Sequence, residues 1–254
     1  MRLSATMLGL SLFATSVTAQ TGEPGKAPPP AVLPQNIVPY EAANPNEPGG
    51  DRLGPARRLA PTVVAADNPD PHLVVDVGSF TGEFLEAFMQ AFPHAHGQWT
   101  EPVDTNRHLA VKRLGRFGDR VSYRIGCPGR DLSQGCVPAG VDVMLTSWLS
   151  IHQNLHGIRD FYARAASLLP TGGWVANLDH VGDNAAWTAR YKSARAIAVR
   201  EGLAATTEGP PVHHADFVTP TLEEQMDALH AAGFTDARVV WRRFDTVLLM
   251  ARKP

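Results

Sequence analysis

From His72 to the C-terminus, short apolar runs and amphipathic stretches alternate, divided by regular turn signals. The run "LVVDV" (73–77) has the near-continuous apolar character of a parallel strand buried on both faces. "GEFLEAFMQAF" follows it, with Phe84, Leu85, Phe88, Met89 and Phe92 at helical spacing. The same logic predicts a second strand in "GQWTEPV", a helix in "NRHLAVKRLGRFG" ending near Gly118, and a third strand in "RVSYRIG". It continues with a fourth strand in "VDVMLTSWL", a helix in "GIRDFYARAASLL" stopped by "PTGG", and a fifth strand in "WVANLDH". "TLEEQMDALHAAGF" reads as an amphipathic helix capped by Thr219 or Thr221. "ARVVWRR" and "DTVLLMARK" lie close enough in sequence to pair antiparallel. This order predicts an α/β domain with a doubly wound, mostly parallel sheet and a C-terminal antiparallel strand pair, whose ligands sit beyond the carboxyl ends of the strands.

The sequence before His72 has a different character. Residues 1–19 carry Arg2, the apolar stretch "ATMLGLSLFATSV" and small residues before Gln20, the layout of a secretory signal. The expectation is export to a secreted or periplasmic location, with a mis-assigned start and a cytoplasmic location as the alternative. The apolar run is too short for a stable membrane anchor. Residues 20–71 are crowded with proline, glycine and asparagine and read as a linker or loose arm, so the domain is expected over 72–254. A formal net charge of −2 and the absence of long basic runs argue against nucleic acid and point to a small molecule as partner.

The turn after the first strand, "VGSFTGEF", invites comparison with phosphate-binding loops. A dinucleotide fingerprint G-x-G-x-x-G starting at Gly78 finds Phe80 and Glu83 at its second and third glycine positions, and Glu83 brings negative charge to the place where phosphates dock. A P-loop fails as well, because no Gly-Lys-Ser/Thr follows. What remains is a turn with Gly78 and Gly82 that can approach a ligand closely without holding phosphate.

"VVDVGSFTG", with Asp76, Gly78, Phe80 and Gly82, resembles the first motif of the class I S-adenosylmethionine (SAM)-dependent methyltransferases, a Rossmann-like superfamily. In that family the turn holds the amino-acid part and adenosine of the cofactor, and O-methyltransferase branches carry an aromatic in the loop. Glu101 stands nineteen residues after Gly82, where the family places the acid that binds both ribose hydroxyls. A carboxylate offers two acceptors to such a diol. "LLPTGGWVANLD" is similar to the family's turn before the fifth strand, and "TLEEQMDALHAAGFTDARVVW…VLLMARKP" to its usual ending. One departure stands out: Gly126-Cys127 occupies the usual Gly-Asp position at the end of the third strand, so Asp131 or backbone contacts are left to hold the adenine amino group.

The resemblance implies a SAM-dependent methyltransferase acting on a small organic molecule. Methyl transfer needs alignment, desolvation and sometimes removal of a proton from the acceptor. His152, after the fourth strand, is the candidate general base, with packing or helix capping as its other reading. Trp148, Asp179, His180, Tyr191, His213 and His214 are candidate substrate contacts, the last three within a lid expected over about 181–220. Convergence of His152, His180, His213 and Asp179 on a metal lacks a spacing signature, and no metal is expected. Two other readings remain: a protein that binds SAM or S-adenosylhomocysteine without chemistry, and a cofactor-modifying enzyme like carboxy-SAM synthase. Cys127 and Cys136 are the only cysteines; an even count in an exported chain suggests a bridge, whereas a cytosolic one would keep both reduced.

Overall fold

A computed structural model of the chain describes residues 53–78, 80–127, 136–202 and 218–254, apart from the side chains of Ile151 and His152. Seven strands form one sheet in the order β3-β2-β1-β4-β5-β7-β6. They are β1 (Leu73–Val77), β2 (His96–Glu101), β3 (Val121–Ile125), β4 (Val143–Ser147), β5 (Trp174–His180), β6 (Asp236–Arg243) and β7 (Thr246–Arg252). β1 to β5 pair in parallel, while β7 runs antiparallel to both β5 and β6. The expected doubly wound sheet and its C-terminal antiparallel pair are both present. β7 lies inside the sheet because its residues 246–251 are all buried, whereas β6 at the edge is mostly half-buried or exposed. The chain order reverses between β1 and β4, the switch point at whose carboxyl ends doubly wound sheets form their ligand crevice.

Two apolar layers flank the sheet. On one face α2 (Glu83–Ala91) inserts Phe84, Leu85, Phe88 and Met89 into a cluster with Trp99, Leu145 and Met250, the spacing read from the sequence. On the other face α5 (Leu155–Leu168) and α7 (Leu222–Ala231) contribute Ile158, Phe161, Tyr162, Ala228 and Leu229. Thr221 caps α7 in a full capping box with Glu224. α3 (Arg107–Leu114) runs into a short 3-10 helix at Gly115–Arg120.

The loose arm expected up to residue 71 gives way to ordered structure over its last part. Gly54–Asp67 is a helix, α1, and Ala56, Ala60 and Val64 on it are fully buried in the same cluster as α2. These three residues recur at i, i+4 and i+8, a helical stripe hidden by the surrounding prolines. Pro55 sits in the first turn, where no intrahelical N–H is required, while Pro61 lies buried inside the helix, where it lacks the N–H for an i−4 bond.

Cys127 and Cys136 are joined by a disulfide, the pairing expected of an exported chain. Residues 1–19, on which that expectation rested, lie outside the described residues. Among the described residues no helix is long and apolar enough to cross a membrane.

Candidate functional site

The crevice begins at the loop after β1. Asp76, buried in β1, accepts a hydrogen bond from the Leu85 N–H at 3.2 Å and so fixes the first turn of α2 to the strand. Gly78 and Gly82 have φ of 70° and 85°, backbone that favours glycine. At Gly78 a Cβ would meet nothing within 4 Å, so the backbone there faces open space. At Gly82 a Cβ would lie 2.8 Å from Leu114 Cδ1, so close packing of the loop on α3 excludes a side chain.

Phe80 also has positive φ, 52°, and its backbone is held from both sides. Its N–H donates to the Glu101 carboxylate, and its carbonyl accepts from Trp99 Nε1 at 3.1 Å. β2 therefore sets the loop, which accounts for a conformation that costs a bulky residue free energy. Glu83, which counted against a phosphate site, forms an ion pair with Arg113 at 3.1 Å. Arg113 also donates from Nε to the Thr81 carbonyl at 3.0 Å. Trp99 and Arg113 are thus loop-setting residues that the sequence motifs do not mark.

Glu101 ends β2 and is only 7% exposed. Burial raises its pKa from the ordinary 4.5 to about 7; the Phe80 N–H opposes the shift and the negative charge of Asp76 adds to it. Folded chain therefore holds this proton at pH values where unfolded chain has lost it. Through this group the protein is most stable below pH 4.5 and loses stability as pH rises towards about 7. The Glu101 carbonyl accepts from Gly126 N at 3.0 Å, which brings the end of β3 alongside. Asp131 lies outside the described residues.

At the ends of β4 and β5 the structure gathers Trp148 and His180. Trp148 has φ 58° and begins the short helix α4 (Leu149–His152); its ring packs on His180 with centroids 4.5 Å apart. His180 Nδ1 lies 3.2 Å from Thr246 Oγ1 and 3.8 Å from Asp245 Oδ1. The backbone of His152 is in α4, immediately beyond this pair.

Asp179, by contrast, faces the interior. It is fully buried, and its carboxylate accepts from Ser150 N and Oγ, His180 N, Gln225 Nε2 and Asn177 Nδ2, with the Ser150 hydroxyl at 2.6 Å. Burial pushes its pKa up while these donors pull it back. This use of its acceptors makes Asp179 a support for α4 and for the His180 backbone rather than a group presented to a ligand. Tyr191 also has another occupation. It lies on α6 (Ala185–Arg200), stacks between Trp187 and Phe244, and its hydroxyl accepts from Arg242 at 3.1 Å, so it ties α6 to the β6–β7 turn. His213 and His214 lie outside the described residues. Among the described residues no group of three histidine, cysteine, aspartate or glutamate side chains is placed to hold a metal ion.

No family model and no curated protein matches the chain. Solved structures do. The chain is similar to an O-methyltransferase family protein from Burkholderia thailandensis, with TM-score 0.57 and 17% identity over 80% of this chain and 57% of that one. It is similar to a possible exported protein from Bordetella parapertussis, with TM-score 0.60 and 16% identity over 80% of this chain and 67% of that one. It is also similar to a 1,6-didemethyltoxoflavin-N1-methyltransferase from Burkholderia thailandensis whose structure holds S-adenosylhomocysteine, with TM-score 0.53 and 22% identity over 78% of each chain. The chain spans a little over half the length of the O-methyltransferase family protein. The sheet order, the glycine loop after β1 and these likenesses together show that the chain has the fold of the class I SAM-dependent methyltransferases.

Proposed function

We propose that the protein binds SAM and transfers its methyl group to a small organic molecule. The observation that carries this reading is Glu101: a buried carboxylate at the tip of β2, joined to the loop that Gly78 and Gly82 open towards the crevice. The residues present fit the cofactor. Open space above Gly78 admits a ligand against the backbone, and the Glu101 carboxylate offers two acceptors to a ribose diol. Asp76, Phe80 and Gly82 shape that loop, and Asp131 is assigned to the adenine side from the sequence alone. SAM, when bound, supplies an electrophilic methyl group on a sulfonium centre.

The chain's own residues then hold and desolvate the acceptor. Trp148 and His180 form one wall at the ends of β4 and β5, and His152 on α4 takes the acceptor's proton. Selection of the acceptor is assigned to the lid segment read from the sequence, of which α6 is the described helix.

Calorimetry with S-adenosylhomocysteine tests the cofactor site. Glu101→Ala is expected to weaken binding by about 1.5–3 kcal/mol, the size of charge-assisted hydrogen bonds. Because Glu101 holds its proton up to about pH 7, affinity for the native protein should rise with pH through neutrality and level off about one unit above it; the variant should lack that rise. Equal affinity of the two proteins at pH 8 sinks the assignment.

Transfer is tested by incubating labelled SAM with a panel of phenols, amines and carboxylates. His152→Ala is expected to slow transfer to an accepted substrate about 100-fold, with cofactor affinity retained. Loss of cofactor affinity with turnover retained makes His152 a packing residue. Saturable binding with no transfer to any acceptor makes the protein a binding module instead.

A further inference from the structure

The covalent bridge sits against the strand that carries Glu101. The Cys127 N–H points at the Glu101 carbonyl at 3.4 Å, beside the Gly126 N–H at 3.0 Å. On the other side of the bridge, the Cys136 carbonyl accepts from Gln98 Nε2 at 2.5 Å. The same Gln98 Nε2 donates to Thr100 Oγ1 at 2.9 Å, and the Thr100 carbonyl accepts from Gly78 N at 2.9 Å. Both cysteines are buried, at 2% and 3% exposure, and Gln98 is buried with them. The disulfide thus fastens together two points of the chain that each hold one side of the last four residues of β2. Those residues in turn hold the glycine loop through Gly78 and Phe80.

We propose that Cys127–Cys136 is a redox modification site that sets the affinity of the cofactor crevice, an inference that rests on the assignment of Glu101 above. Oxidised, the bridge keeps Glu101 and the loop in the geometry a ligand needs before it arrives. A dithiol reductant opens it by exchange: the S–S bond breaks, two electrons and two protons pass to the cysteines, and the reductant closes to its own disulfide. The backbone on either side of β2 is then free to part, and the crevice loses its preorganised shape. Burial of both sulfurs makes this exchange slow.

The test is S-adenosylhomocysteine affinity of the full chain in three forms: oxidised, reduced with dithiothreitol until both thiols alkylate, and Cys127→Ser/Cys136→Ser. Circular dichroism and thermal melts on each form report whether it is folded. Binding to the folded reduced and double-serine forms is expected to be weaker by about tenfold or more, a change of about 1.4 kcal/mol. Equal affinity in folded oxidised and reduced forms overturns the proposal and leaves the cofactor assignment standing. Absence of binding even to the oxidised form defeats the cofactor assignment, and this inference with it. If the reduced forms do not fold, Gln98→Ala decides, since it keeps the bridge but releases the Cys136 carbonyl from β2. A several-fold loss of affinity in that variant supports the brace, and native affinity reduces the bridge to a staple of the fold.

Discussion

A chain that begins at His72 is expected to be less stable than the full chain by about 3 kcal/mol or more in urea unfolding. For a domain of this size that corresponds to a fall of roughly 6–12 °C in Tm. The deletion removes α1, whose Ala56, Ala60 and Val64 are fully buried against the layer formed by α2 and the sheet. α1 touches α2, β5, β6 and β7, so its loss bares apolar surface on four elements. Burying one valine is worth about 1.5–3 kcal/mol, and the uncovered partners lose a comparable area. Ordering fourteen residues opposes docking, so only the surplus appears as stability. Equal unfolding midpoints for the two chains would show that α1 is dispensable to the domain.

Asp179→Ala is expected to cost about 3–5 kcal/mol, since several buried donors lose an acceptor at about 1–3 kcal/mol each. The substitution removes the buried acceptor shared by Ser150, Asn177, His180 and Gln225, and leaves Ser150 Oγ and Gln225 Nε2 only the His180 carbonyl, and Asn177 Nδ2 the Tyr162 hydroxyl and Gln225 Oε1. Tyr162 belongs to the same network: its hydroxyl donates to Gln225 Oε1 at 3.0 Å and accepts from Asn177 Nδ2 at 2.8 Å. The damage therefore spreads from β5 to α4, α5 and α7. Because α4 carries His152 and is fixed through Ser150, the methyl transfer proposed above should fall along with stability. A loss below about 1 kcal/mol in urea unfolding would show that the network does not act as one unit.

Both predictions fall where the sequence and the structure part. The order of strands and helices was legible because it is local: "LVVDV", the apolar spacing of α2 and the Thr221–Glu224 capping box each lie within a few residues of one another. The glycine loop was legible for a related reason, since positive φ at Gly78 and Gly82 is a local need of the turn, and β2 ends at Glu101 where the strand pattern placed its tip. α1 was missed because prolines and glycines outweighed a stripe of only three small residues. Asp179 and Tyr191 could be placed near the site by sequence, but not aimed. Asp179 is turned inward by partners on two other elements, Ser150 of α4 from 29 positions away and Gln225 of α7 from 46. Tyr191 is drawn to the β6–β7 turn by Arg242, 51 positions on. The same holds for the supports of the crevice: Arg113 reaches the Thr81 carbonyl across 32 positions, and Gln98 the Cys136 carbonyl across 38. The chain by itself determined which segments become strand, turn and helix, because backbone preference and periodicity act over a few residues. Which polar groups serve a ligand and which serve the fold was decided only by tertiary structure, because a buried donor or acceptor is satisfied by whatever the fold brings to it, regardless of distance along the chain.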